Sequence, residues 1–182
     1  MELKLKQLNF CPECGSEGLA QKSNKLNCDT CGFGLYINVA ATASLIFKCR
    51  DQVLMTERGR DPAKGKYDFP GGFVELDESL EEALERELQE ELNYRPEGYR
   101  YFSSSPNRYP YGGIEYNLCD AYFLLELTDQ PELMAGDDVK AFAWKSLDKI
   151  PRSDVAFDSI WQIVEQLRAA QKYESELAWI TN

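Results

Sequence analysis

The chain has 182 residues, 43% of them apolar, and carries 20 basic against 31 acidic side chains for a net charge of −11. That is enough apolar material for one well-filled core with a small appendage, and the wrong sign of charge for gripping phosphate backbones or anionic lipid. No run approaches the roughly 18 apolar residues of a membrane span, and the N-terminal MELKLKQLNF lacks the apolar stretch of a signal peptide, so a cytoplasmic protein without membrane partners is expected. Histidine is absent, which leaves Asp, Glu, Lys, Tyr or Cys as general bases or metal ligands. An acidic protein of this kind suits a site where divalent cations neutralise clustered carboxylates and let an anionic substrate approach.

In chain order, CPECG and CDTCG carry Cys11, Cys14, Cys28 and Cys31 in a C-x2-C-x13-C-x2-C spacing. Gly15 and Gly32 close the two pairs, as suits a tight turn whose backbone amides point at thiolate sulfur. Four thiolates in two such knuckles match tetrahedral Zn2+ in a structural role, because a full set of cysteine ligands leaves no open position for substrate. Two disulfides are the alternative, which a cytoplasmic chain disfavours. A zinc ribbon over residues 1–36 and a main domain over 37–182 are therefore expected. Cys49 and Cys119 stand alone in strand-like runs and read as small core residues.

YINVAATASLIFK and QVLMTER read as two strands of a hairpin turning at CRDQ. DPAKGKYDFPGGFVE, rich in Gly and Pro, reads as a loop entering a short strand. A helix follows over DESLEEALERELQEELNY, with Ser79 and Glu82 forming a capping box. GYRYFSSS and YNLCDAYFLLEL are expected to be strands joined by the loop PNRYPYGGIE. DDVKAFAW is expected to be a short strand and SLDKIP a turn. AFDSIWQIVEQLRAAQ places Ile160, Ile163, Val164 and Leu167 at helical spacing, and KYESELAWITN either extends that helix or packs as a tail.

Residues 77–94 hold seven glutamates and Asp77. On a wheel of about 100° per residue, Leu80, Leu84, Leu88 and Leu92 mark the buried stripe, with Glu87 and Glu91 roughly 20° to either side of Leu80. Glu90 lies roughly 80° from Leu80. A helix seeking only solubility would not set charges against its leucines. Three carboxylates at i, i+3 and i+4 repel one another, and desolvation beside leucines raises that penalty unless a cation compensates. Mg2+ or Mn2+ meets that description, with an ordinary acidic helix as the rival.

Read from Gly72, the chain runs GFVELDESLEEALERELQEELNY, which resembles the Nudix box G-x5-E-x7-R-E-U-x-E-E-x-G-U, where U is bulky and apolar. The matches are Gly72, Glu78, Arg86, Glu87, Leu88, Glu90 and Glu91; Asn93 replaces the last Gly and Tyr94 an aliphatic residue. Asn tolerates the left-handed conformation that ends a helix, so Asn93 should still stop this one. The resemblance implies an α/β fold, a Nudix α/β/α sandwich with a mixed sheet over about residues 37–170. With a cysteine ribbon ahead of it, the layout resembles the subset that includes NADH pyrophosphatases and some ADP-ribose or FAD pyrophosphatases.

What the resemblance implies for the site is that Glu87, Glu90 and Glu91 bind Mg2+ or Mn2+, with the Gly72 carbonyl completing the shell. Glu78 and Arg86 would act in support, Arg86 by fixing carboxylate rotamers. The implied reaction is hydrolysis of a nucleoside diphosphate linked to another group, releasing a mononucleotide and a phosphorylated product. Glu90 or Glu91, a loop acid such as Asp137 or Asp138, or Glu115 would take the water proton. Arg108, Tyr109, Tyr111 and Tyr116 are candidates to grip a phosphate and stack on a base, with hydrophobic loop cover as the rival reading. The chain has SSSPNRYPYGG where NADH pyrophosphatases are expected to carry Ser-Gln-Pro-Trp-Pro-Phe-Pro-x-Ser, which argues against NADH as the main substrate. Two other classes are a catalytically silent nucleotide sensor, which usually loses box glutamates, and an adaptor for nucleic acid or protein. The ribbon offers nucleic acid only Lys22 and Lys25, so a prop for the sheet or a homodimer contact is the expected role.

Overall fold

Glycines and a few local hydrogen bonds shape the N-terminal elements, where apolar residues are scarce. In the computed structural model, which describes residues 9–136 and 139–178, β1 (Leu19–Lys22), β2 (Lys25–Cys28) and β3 (Gly34–Tyr36) form an antiparallel sheet of their own. They belong to the first of two units into which the chain divides, made of the residues up to Ala40 together with Arg108–Leu118; Ala41–Asn107 and the residues from Cys119 onward form the second. Beside the buried Cys11 and Cys28, Leu26 is buried in this small sheet, too little apolar burial to hold a fold of this size without a staple.

The second unit is organised by strand alternation. β4 (Ala40–Cys49) and β5 (Gln52–Arg58) pair as the expected hairpin, closed by Arg50 and Asp51 with Cys49 opposite Gln52. With β8 (Arg100–Tyr111), β9 (Ile114–Leu127) and β10 (Val139–Ser146), the sheet order is β10-β5-β4-β9-β8, with β6 (Tyr67–Asp68) on β5 and β7 (Gly71–Phe73) on β4. Along β4, Leu45 and Phe47 face one core while Ile46 faces the other; along β9 (Ile114–Leu127), Phe123 and Leu125 join the first and Tyr122 and Leu124 the second. Successive side chains of a strand point to opposite faces, so a sheet with two apolar faces needs a helix on each. Helix α1 (Leu80–Leu92) covers one with Leu84, Leu88 and Leu92, and α2 (Asp158–Ala178) covers the other with Ile160, Ile163, Val164 and Leu167. This is the α/β/α sandwich that the resemblance implied. Among the described residues no helix is long and apolar enough to cross a membrane.

The ends of α1 follow the local sequence. The Ser79 hydroxyl accepts from the Glu82 amide at 3.2 Å while the Glu82 carboxylate accepts from the Ser79 amide at 2.8 Å, the reciprocal pair of a capping box. Asn93 ends the helix in the left-handed region at φ 49°, its amide shared between Gln89 O and Leu88 O.

Two expectations need correction. PNRYPYGGIE is not a loop: β8 (Arg100–Tyr111) and β9 run through it and turn at Gly112 and Gly113, both at positive φ (58° and 81°). Two consecutive residues at positive φ are what a tight hairpin turn requires. Pro106 and Pro110 are tolerated because β8 is the edge strand, where a missing N–H breaks no interior ladder. Cys119 is exposed rather than part of the core, since it alternates with the buried Leu118 and Asp120; Cys49 is buried as expected, its thiol donating to Thr128 O at 3.6 Å. β10 (Val139–Ser146) pairs with β5, Leu147–Lys149 forms a 3-10 turn, and α2 absorbs the tail through Ala178.

Candidate active site and metal centres

Leu84, Leu88 and Leu92 are fully buried, which turns Glu87 and Glu91 to the rim of the apolar stripe, half-buried, while Glu90 faces solvent with 62% of its side chain exposed. Arg86 gathers the acids. Its Nε and one terminal nitrogen donate to both oxygens of Glu78 at 2.7 and 3.0 Å, a bidentate fork that a guanidinium makes and an ammonium cannot. The other terminal nitrogen donates to Glu87 Oε1 at 2.9 Å and lies 3.5 Å from Glu90 Oε2. A further bond to Phe73 O at 3.0 Å ties this fork to β7.

β7 meets the helix through its glycines. The Gly71 amide donates to Glu91 Oε2 at 2.9 Å. Gly71 sits at φ 139°, where a Cβ would fall 2.2 Å from Ala43 O, so only glycine lets β7 lie this close to β4. A Cβ on Gly72 would lie 2.3 Å from Glu87 Oε1, which shows how closely that carboxylate presses on the backbone. Burial raises the Glu87 pKa in spite of Arg86, and the charges of Glu90 and Glu75 add to the rise. Glu78 moves the other way, held down by the Arg86 hydrogen bonds and the Glu75 amide. Glu87 is thus a carboxylate short of positive charge, the condition that a divalent cation relieves. Glu75, the Gly71 amide and the Phe73 carbonyl were not among the sequence candidates. The paired glycines at the end of a short strand are the signal that points to two of them.

The four cysteines form a second centre. Cys11 and Cys31 sulfurs lie 3.7 Å apart, as do those of Cys14 and Cys28, and all four fall within 4.8 Å of one another. Both contacts are nearly twice the ~2.05 Å of a disulfide, whereas four sulfurs at ~2.3 Å from a tetrahedral ion stand about 3.8 Å apart. The knuckle turns close by Gly15 N–H to Cys11 O at 2.8 Å and Gly32 N–H to Cys28 O at 3.0 Å, both glycines at positive φ. Hydrogen bonds from the Ser16 hydroxyl and the Cys31 amide hold the Cys28 thiol down at about 6. At Cys31, against a lowering bond from the Phe33 amide, burial and the neighbouring thiols push the pKa up to about 12. Among the described residues this is the group whose ligand atoms already stand close enough to hold an ion, whereas the glutamates are each drawn to a protein donor.

Arg108, Tyr109, Tyr111, Glu115 and Tyr116 all fall in the first unit, on the β8–β9 hairpin. Arg108 pairs diagonally with Glu115 at 3.1 Å, and strand alternation puts this ion pair on the face opposite Tyr109 and Tyr111, whose rings stand 6.4 Å apart. The structure therefore does not bring Arg108 and the two tyrosines onto one surface. Asp137 and Asp138 lie outside the described residues.

The NUDIX domain family model matches residues 38–167. The chain is 34% identical over 128 residues to the ADP-ribose pyrophosphatase of Methanocaldococcus jannaschii, covering 69% of this chain and 72% of that protein. It is 27% identical over 172 residues to the NAD-capped RNA hydrolase NudC of Vibrio atlanticus, covering 93% of this chain but 62% of that protein, so it spans less than two thirds of that relative. A bifunctional NMN adenylyltransferase/ADP ribose pyrophosphatase from Francisella tularensis, solved with AMP and Mn ion, superposes with a TM-score of 0.55 at 26% identity, over 73% of this chain and 42% of that one.

Proposed function

Because the chain belongs to the NUDIX domain family and is a pyrophosphohydrolase of it, we propose that it hydrolyses the diphosphate of an ADP-linked substrate, ADP-ribose foremost, with NAD(H) and FAD as further members of the class. The observation that carries this reading is the turn in which Arg86 forks onto Glu78 and reaches Glu87 and Glu90, while the Gly71 amide holds Glu91. Glu87, Glu90, Glu91 and the Gly72 carbonyl are the donors we assign to Mg2+ or Mn2+. All are hard oxygens, and the burial that disfavours the ionised form of Glu87, which Arg86 offsets only in part, is what a bound cation would relieve. A bound divalent cation would supply positive charge opposite the diphosphate and acidity to a nearby water.

The chain's own residues do the rest. Arg86 and Glu78 fix the rotamers of the ligand carboxylates, and β7 anchors the turn through the Gly71 amide and the Phe73 carbonyl. Glu90 or Glu91, or a loop acid outside the turn, receives the proton of the attacking water as the water oxygen bonds to one phosphorus and the P–O–P bridge breaks, releasing AMP and a phosphorylated partner. The cysteine cluster is assigned to Zn2+ in a structural ribbon over residues 1–36, ahead of a catalytic domain over 37–182. Tyr109 and Tyr111, which share a face of their hairpin, remain proposed substrate contacts; Arg108, paired with Glu115 on the other face, is not proposed to act with them.

The test is a panel of ADP-ribose, NADH and FAD with Mg2+ or Mn2+, read as AMP by chromatography. AMP is expected from at least one substrate and not without metal. Tight binding of a panel member with no metal-dependent turnover would overturn the enzyme reading in favour of a sensor.

A further inference from the structure

The last turn of α1 carries Glu90 and Glu91, and the final carbonyls of a helix have no partner within it. Two of them are satisfied locally, Gln89 O by the Asn93 amide at 3.1 Å and Leu88 O by the Tyr94 amide at 3.2 Å. Those of Glu91 and Leu92 are satisfied by a segment more than forty residues further along the chain: the Gly136 amide donates to Glu91 O at 2.7 Å and the Met134 amide to Leu92 O at 3.1 Å. A Cβ on Gly136 would lie 1.9 Å from Glu90 O and 3.0 Å from Glu90 C, backbone atoms that cannot rotate out of the way. Gly136 is not in the left-handed region, so glycine is required here for space and not for conformation. Beyond this segment the chain is fixed again by the pairing of β10 with β5.

Resting on the reading that Glu90 and Glu91 hold the divalent cation, we infer that Gly136 is a positioning residue for the reaction. Its missing side chain and its amide set the backbone of the Glu90–Glu91 turn against the segment that leads into β10. The turn is held from two sides by glycines. From β7 the Gly71 amide holds the Glu91 side chain and Gly72 leaves room for that of Glu87, and Gly136 meets the main chain of Glu90 and Glu91 from the segment that leads into β10. A Cβ at Gly136 must push the segment off the helix end or tilt the last turn, and either movement displaces two ligand carboxylates together.

Gly136→Ala tests this with two readouts. Mn2+ titration of the substrate-free protein is expected to show affinity weakened about tenfold, the scale at which groups that orient metal ligands act. Turnover of ADP-ribose at saturating Mn2+ is expected to fall about tenfold in kcat with KM within about threefold of the parent protein. Met134→Pro removes the amide bond to Leu92 O without adding bulk at Gly136, and is expected to move Mn2+ affinity the same way by about threefold. A folded Gly136→Ala variant with the parent's Mn2+ affinity would overturn the inference. If that variant does not fold, an unchanged Mn2+ affinity in Met134→Pro overturns it instead. Absence of metal-dependent turnover in the parent protein would sink the pyrophosphohydrolase reading, while the Mn2+ titrations would still decide the role of Gly136.

Discussion

The cysteine cluster and the glutamate turn both collect potential anions, and they do so by different means. The sulfurs are brought within 4.8 Å by two knuckles, each closed inside a few residues by one glycine and one backbone hydrogen bond. A thiol at its ordinary pKa is mostly neutral near pH 7 and an ordinary carboxylate is ionised, so the acids depend more heavily on a resident cation and fixed dipoles. Arg86 supplies the first, with its fork to Glu78 and its reach to Glu87 and Glu90, and the Gly71 amide supplies the second at Glu91. A soft site can thus be local in sequence, while a hard one at this charge density depends on a neighbouring strand.

Glu91→Gln should break the comparison most severely. It keeps an oxygen for the Gly71 amide but removes the charge, and AMP release at saturating Mn2+ is expected to fall by about a thousandfold or more, measured against the parent at equal protein. Cys28→Ser should act on the other region alone in metal content: elemental analysis should find zinc falling from about one atom per chain to near none. Zinc-free parent protein from a zinc-rich preparation would end the ribbon assignment. Arg86→Lys is expected to lower kcat by about 10- to 100-fold with a smaller change in KM, because an ammonium cannot reproduce the fork onto Glu78 while reaching Glu87. Steady-state kinetics would separate the two parameters.

A pair of ion pairs sharpens the point at smaller scale. Arg86 lowers the pKa of Glu78, yet Asp68, 3.0 Å from Arg58, is raised from 3.8 to about 6, because its burial outweighs the guanidinium and the nearby Asp120 charge adds to the effect. With the folded pKa above the unfolded one, the folded chain keeps a proton that the unfolded chain gives up. This group's contribution therefore favours folding below about pH 4, declines as pH rises toward about 6, and is constant above that. Asp68→Asn should remove about 2 kcal/mol of that decline, seen as a flatter midpoint in urea between pH 4 and pH 6. An identical pH profile in the two proteins would refute the assignment. Cys119→Ser, on an exposed position of β9, should change stability by less than about 0.5 kcal/mol in the same assay.

Much of this molecule is legible in its sequence. The spacing of Cys11, Cys14, Cys28 and Cys31, the Ser79–Glu82 box, the stop at Asn93 and the placing of Glu87 and Glu91 beside the leucines are all set by contacts within a few residues. There, helical period, capping and turn conformation follow from the local chain. Strand alternation likewise divides Leu45 and Phe47 from Ile46, which makes a helix on each face of the sheet a consequence of the pattern. The tertiary structure decided what depends on which segments meet. Pro106 and Pro110 read as loop until β8 is seen to be an edge strand, where their missing amides cost nothing in the ladder. Gly71 reads as part of a loop, and Gly136 carries no signal, until β7 and the chain ahead of β10 are found against the helix that carries the acids. Close approach between backbones distant in sequence leaves no periodic trace, because the only side chain that permits it is the one with no side-chain atoms to pattern.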